Sequence, residues 1–417
     1  MGFFYGWVIV LISAIGLLFS LSTLVALTFG IFMRALAEEF GWNRAEISLA
    51  YSIALLLLAI ASPLIGKMVD RWGARRVITL AAVLFGGALM SLALLTPRLW
   101  HFYLVFSAVV IIGGGASLIP YNRVISTWFD RRRGLALGLS MAGLGIGAFL
   151  MPALAHYLIT HWGWRTAYAV LGSFPIAIVA PLVGLWFREE PEDLGLLPDG
   201  RPDSSMRSAS GAEGAWGMSP SEALRTRTFW IMGTAFFLMS LCVIGIMVHL
   251  APLLMDRGFS EAQAAWAMSV FGVALLLGRV TCGILLDRFF APYVGASFFG
   301  AAAIGILLLW LEVQGVAAFF AAFLVGLVMG AEVDVIAYLV SRYFGLRSFG
   351  EIYGYGFSLY LLGGMVGPPL MGANFEALGS YSEVLLGMLG AVLVAAVLMT
   401  RLGEYQTEVG WGRWARA

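Results

Sequence analysis

GKMVDRWGARR, residues Gly66 to Arg76, sets the chain's single lysine, one aspartate and three arginines between two long apolar runs. A charged island of this kind is a short loop joining two hydrophobic segments. A weaker copy, GILLDRFFAPYV, returns from Gly283 to Val294, so that Asp70 and Asp287 stand about half the chain apart. The stretch therefore predicts both a membrane-spanning chain and an internal duplication.

Composition agrees with the first inference. Of the 417 residues 61% are hydrophobic and only 12% are charged, with a mean hydropathy of +0.91. A water-soluble domain has about a quarter of its residues charged, and a soluble globule of this size could not cover so much apolar surface. The apolar runs last about 20 residues without alternation, which predicts helices and not a barrel. The 51 glycines suit close helix packing in lipid. A net charge of +1 gives no hint of nucleic-acid binding. Cys242 and Cys282 both lie in apolar runs, so neither a disulfide framework nor a metal site is expected.

Twelve spans follow from the runs: Trp7–Phe32, Ala45–Met68, Val77–Leu95, Phe102–Ile125, Leu135–Tyr157, Thr166–Trp186, Phe229–Leu250, Ala262–Leu285, Pro292–Trp310, Ala317–Leu339, Phe349–Leu370 and Glu383–Met399. The first is too long for a signal-peptide core and is read as retained. Lys67, Arg71, Arg75, Arg76, Arg131, Arg132, Arg133, Arg225, Arg227, Arg288, Arg342 and Arg347 fall in loops on the side of both termini. That side is expected to be cytoplasmic, in a bacterial inner membrane. Ser260 is the expected N-cap of the eighth span, and Pro292 suits the start of the ninth.

Between the sixth and seventh spans, Arg188 to Thr228 is the one long polar stretch, rich in Pro, Gly, Ser and Glu. It predicts a linker. The expected organisation is an all-α membrane protein of two six-helix bundles, 1–190 and 229–402, joined by a linker at 191–228 and followed by a tail at 403–417. STWFDR after the fourth span parallels SRYFGLR after the tenth, which supports the duplication.

Few polar residues interrupt the spans, and these are the candidate site. Arg279 precedes Asp287 by eight residues, which puts it roughly 12 Å along the helix from the loop. A guanidinium at that depth costs roughly 3 kcal/mol unless it faces a cavity, and its planar fork can hold a carboxylate with two hydrogen bonds. Glu332 and Asp334 sit well inside the tenth span, about 200° apart around the helix, so they cannot share one face. One is expected as a proton site or a partner of Arg279, the other as a group held against a neighbouring helix. His249 and Asp256, near the outer end of the seventh span, are candidates for proton coupling or gating. Tyr121, Asn122, Tyr338 and Tyr360 offer hydrogen bonds to a substrate, and Leu144 offers an apolar wall. Gly66, Asp70, Arg71, Gly73, Arg75 and Arg76, with Gly283, Asp287 and Arg288, are expected to govern conformation, the two aspartates accepting from helix-start N–H groups or arginines.

Gly66–Arg76 resembles the signature loop between the second and third helices of the major facilitator superfamily, and the second copy falls where that superfamily repeats it. Within it the chain is similar to bacterial relatives of the monocarboxylate transporters and of the oxalate:formate antiporter. That narrower likeness rests on Tyr5-Gly6-Trp7, Gly41-Trp42-Asn43-Arg44, Trp128-Phe129, Arg132-Arg133-Gly134-Leu135-Ala136, Gly163-Trp164-Arg165, Asp256-Arg257-Gly258-Phe259-Ser260 and Arg279. The resemblance implies rocking of two bundles around a mid-membrane site, with Arg279 engaging the carboxylate. Leu275 stands where animal members have an aspartate one turn before that arginine, so any coupling carboxylate must come from elsewhere. The eleventh span lacks the second cation expected of the oxalate exchanger.

No nucleotide loop, ligand cluster or large extramembranous domain suggests an enzyme or a cofactor. The expected function is secondary transport of a lactate- or pyruvate-type monocarboxylate with a proton, without an obligatory subunit. An organic anion exchanger, a carboxylate sensor and a sugar or drug carrier are the alternatives.

Overall fold

The computed structural model describes residues 4–200 and 217–405. Of the expected linker, 201–216 lie outside the described residues, as do 406–417 of the expected tail. The chain divides into two compact units, Met1–Gly214 with Phe349–Gly354, and Ala215–Ser348 with Tyr355–Ala417. Among the described residues the structure is helical, apart from an isolated bridge between Gly217 and Gly345.

In the first unit, α1 (Gly6–Leu18) and α2 (Phe29–Phe40) are joined through a π-helical turn at Ser22–Ala26. Next come α3 (Arg44–Trp72) and α4 (Ala74–Ser91), hinged at Gly73, whose φ of 86° only glycine adopts without strain. Asn43 caps α3 and Glu46 answers it, each accepting the other's backbone N–H at 2.8 and 2.9 Å. The fourth predicted span is two helices, α5 (Leu99–Gly114) and α6 (Leu118–Trp128), because three glycines from Gly113 end the first before Pro120 enters the second. After α7 (Arg133–Ser140), α8 (Ala142–Phe174) carries the fifth span into the sixth. The sequence suggests a loop there, but the helix runs on and breaks only at Gly163, at φ 79°. A π-helical turn at Pro175–Val179 then leads into α9 (Ala180–Trp186), since a proline removes the N–H that would close the regular turn.

The second unit opens with a capped short helix, α10 (Pro220–Arg225), inside the stretch expected to be linker. Then come α11 (Arg227–Asp256), α12 (Glu261–Leu286), α13 (Ala291–Trp310), α14 (Val316–Tyr343), α15 (Phe349–Leu378) and α16 (Ser382–Thr400). Ser260 caps α12 with Gln263, and Pro292 stands in the first turn of α13, as the sequence predicts.

Ten helical stretches of the described chain are long and apolar enough to cross a membrane. Two reasons separate this figure from the twelve predicted spans. Arg133–Trp186 is one 54-residue stretch that contains two of them, and α15 is 30 residues long but rich in Gly, Tyr and Pro, so its hydropathy is lower. Leu11, Leu104, Phe149 and Leu185, all at least 60% exposed on the helices, belong to the surface that lipid covers.

Two glycine pairs organise the second unit. On α14, Gly326 and Gly330 press against the carbonyl oxygens of Phe271 and Leu275 of α12, so closely that a methyl group at either glycine would collide. On α15, Gly363 and Gly367 do the same against Phe237 and Leu241 of α11. In each pair both partners are four residues apart, which keeps them on one face of each helix. This small-residue register lets helices approach in lipid, where packing replaces the hydrophobic effect.

Candidate functional site

The α12–α14 register continues one turn further on both helices, to Arg279 on α12 and Asp334 on α14. Asp334 is fully buried, and Arg279 is the cation whose charge acts on it. Yet no ion pair closes. Nε and Nη1 of Arg279 and both carboxyl oxygens of Asp334 are buried without a hydrogen-bond partner among the described residues. Leaving buried charge-bearing donors unmade costs more than an ordinary hydrogen bond returns, so this arrangement is one that a guest with paired acceptor oxygens would complete.

Glu332, 1% exposed, faces the other way, toward Cys242 of α11 and the Tyr360 hydroxyl of α15. Tyr360 is the polar group opposite it, although neither carboxyl oxygen makes a hydrogen bond of good geometry. The two buried carboxyls are thus divided between two helix interfaces, as their spacing predicts.

Tyr338 lies one turn beyond Asp334 and is engaged by Arg342, whose guanidinium sits 5.1 Å over its ring and donates to its hydroxyl at 3.3 Å. His249 ends the α11–α15 register. Its Nε2 lies 3.0 Å from the Pro368 carbonyl and its Nδ1 3.2 Å from the Tyr381 hydroxyl. Since a carbonyl only accepts, the Nε2 carries the hydrogen in the contact with Pro368. Asp256 is the last residue of α11, and burial together with its charge pushes the Tyr381 phenol up. The spacing therefore joins His249 to Tyr381, which the sequence did not single out.

In the first unit the signature loop has its own chemistry. Asp70 accepts from the backbone N–H groups of Gly350 and Glu351, at 2.9 and 2.8 Å, and from Nε of Arg123 at 3.0 Å. Those amides open α15, and a carboxylate there satisfies donors that the helix leaves unpaired. Gly66 leaves room for the Gly350 carbonyl. Asn122, next to Arg123, donates to the Tyr353 hydroxyl at 3.2 Å. Arg75 donates its backbone N–H to Glu189 at 3.1 Å and its guanidinium to the Gly184 carbonyl, fastening α4 to the end of α9. Arg71 and Arg76 are exposed. In the second copy Gly283 is buried, Asp287 follows the last residue of α12 and Arg288 is exposed.

Tyr121 is fully buried, its hydroxyl against Gly16 and its ring edge-on to Phe187 at 5.9 Å. Leu144 is half-buried beside Gly143, which meets the Ala14 carbonyl. Both belong to the first unit and Arg279 to the second. Sequence reasoning also passed over Arg123, Glu189 and Tyr353. For Arg123 the signal was present, a lone arginine inside the fourth apolar run.

The sequence profile of the Major Facilitator Superfamily matches residues 11–368 and 258–410. The chain belongs to that superfamily. Among its members, this one is 27% identical over 406 residues to human Monocarboxylate transporter 11, covering 92% of this chain and 79% of that protein. It is 28% identical over 416 residues to Monocarboxylate transporter 13 of Bos taurus, covering 95% and 89%. Its fold matches the E. coli fucose:proton symporter with a TM-score of 0.71 at 16% identity, over 97% of this chain and all of that one. A human organic anion transporter matches at 0.70 and 15% identity, over 94% and 99%. The likeness to these structures establishes the major facilitator fold, an all-helical, multi-pass membrane architecture, and the curated relatives make the chain monocarboxylate-transporter-like.

Proposed function

We propose that the protein is a secondary carrier of a small monocarboxylate, of lactate or pyruvate type, moved together with a proton. The observation that carries this reading is Arg279 of a spanning helix, whose guanidinium Nε and Nη1 are buried without a hydrogen-bond partner among the described residues. A carboxylate has the paired acceptors that such a fork lacks.

Asp334 supplies the coupling. With the site empty, its charge is balanced by Arg279. A substrate carboxylate that takes over the guanidinium leaves Asp334 without that balance, and a proton then neutralises it. Substrate anion and proton are thereby bound together and cross without net charge. The carboxylate that Leu275 does not provide on α12 comes instead from the facing helix. Glu332 faces Tyr360 across the α14–α15 interface, and His249 ties α11 to α15. The two six-helix halves alternate access to the site, with the basic loops and both termini on the cytoplasmic side.

Uptake of labelled lactate into proteoliposomes tests this reading. An inward proton gradient is expected to drive accumulation, and collapse of the gradient to abolish it. Acceleration by internal substrate after collapse would support exchange in place of symport, against which stands the absence of Lys and Arg from Phe349–Leu378. Saturable binding with uptake no greater than in empty liposomes would point to a sensor.

A further inference from the structure

The first unit holds a cavity of about 1030 Å³ that the transport reading does not use, bordered by the signature loop, Arg123, the end of α9 and the Glu190–Asp193 turn. Its four carboxylates each accept hydrogen bonds and are outnumbered by five arginines. Asp70 takes three hydrogen bonds, Glu189 takes the Arg75 N–H, and Glu190 and Asp193 cap each other's turn. Of its five arginines, Arg123 is paired with Asp70 and Arg75 is bonded to Gly184. Arg71, Arg76 and Arg188 line the same space, and their guanidinium groups have no partner among the described residues.

A second cavity of about 430 Å³ adjoins it and shares Trp72, Arg76 and Leu80. It is an apolar groove between α3, α4 and α5. Trp72, Leu80 and Leu84 along it are 50%, 56% and 49% exposed, on helices that span the membrane. Three uncommitted guanidinium groups thus stand at the end of a lipid-facing apolar channel.

We infer that this composite site binds an anionic phospholipid, its phosphate among Arg71, Arg76 and Arg188 and an acyl chain along the groove past Leu80. Free phosphate shares the headgroup chemistry but has no use for the groove, and a neutral phospholipid fills the groove but brings no net charge to the arginines. Basic pockets at membrane interfaces select anionic headgroups, and each basic residue contributes about fivefold in affinity.

The test is native mass spectrometry of the full chain extracted from membranes holding equal phosphatidylglycerol and phosphatidylcholine. The wild type is expected to retain phosphatidylglycerol in preference. Arg71→Ala, Arg76→Ala and Arg188→Ala should each weaken retention about fivefold, while Arg227→Ala, on a residue outside the cavity, should not. Leu80→Trp, which fills the groove and leaves every cation in place, should lower retention as well. Equal retention of the two lipids, or a triple arginine variant that melts like the wild type and still retains phosphatidylglycerol, would overturn the assignment. So would complete displacement of the lipid by inorganic phosphate at equal concentration.

Discussion

Arg279 and Asp334 stand one turn beyond the Leu275–Gly330 contact on facing helices, Asp334 fully buried and Arg279 half-buried with its Nε and Nη1 enclosed, and no ion pair joins them. The separation matters more than the attraction. A closed ion pair would spend the guanidinium on a protein carboxylate, whereas an open one leaves donors for a substrate.

Asp334→Asn keeps the shape and removes the charge that a proton would neutralise. Gradient-driven accumulation should fall to the level of equilibration, while exchange of labelled for unlabelled substrate should persist. Both fluxes can be read in the same proteoliposomes. Accumulation equal to the wild type would remove Asp334 from the coupling.

The glycine register that sets this separation can be tested by crowding it. Gly330→Leu must push α12 and α14 apart, at a cost of about 1–3 kcal/mol or more, and should lower the melting temperature in detergent together with substrate binding. Gly300→Leu, at a glycine with open space around it, should leave both unchanged. Equal effects from the two variants would contradict a specific role for the close approach.

Asp70 accepts from the first-turn amides of α15 and from Arg123. Each charge-assisted hydrogen bond it accepts is worth roughly 1.5–3 kcal/mol, so Asp70→Asn should speed deuterium exchange at the Gly350 and Glu351 amides. The substrate dissociation constant should stay within about twofold, because Asp70 is no part of the Arg279 site. Protected amides in the variant would mean that the helix start is held by other contacts.

At the other end of the first unit, Glu39 accepts from the Trp164 indole and the Arg165 guanidinium, which also lies 4.2 Å over the indole ring. These bonds hold the Glu39 carboxyl below its ordinary value of 4.5. A depressed carboxyl gives stability that is complete above that ordinary value and is lost as pH falls through the folded one. The melting temperature should therefore decline on acidification below about pH 5, and Glu39→Gln should shrink that decline. Because the pair is exposed the effect is small. An identical acid limb in the variant would assign the decline to other groups.

Much of this was legible in the chain because lipid enforces it. Apolar runs must become helices when no water can satisfy the backbone, and a charged loop between them marks its own position. The separation of Glu332 from Asp334 followed from helical pitch alone. What sequence could not supply were pairings set by tertiary register. Nothing local says that Gly330 meets Leu275, hence that Asp334 meets Arg279, or that the amides received by Asp70 belong to residues 280 positions away. Nor could sequence show that the Tyr121 hydroxyl lies against Gly16 and its ring against Phe187. The break at Gly163 was invisible for a further reason. A single glycine with positive φ turns the chain where a longer loop was expected.

Calorimetric titration of lactate into the purified wild type and Arg279→Lys tests the central claim most directly. Lysine keeps the charge but not the planar fork, so the variant should melt like the wild type and bind at least about tenfold more weakly. Binding by Arg279→Lys as tight as that of the wild type would contradict the account.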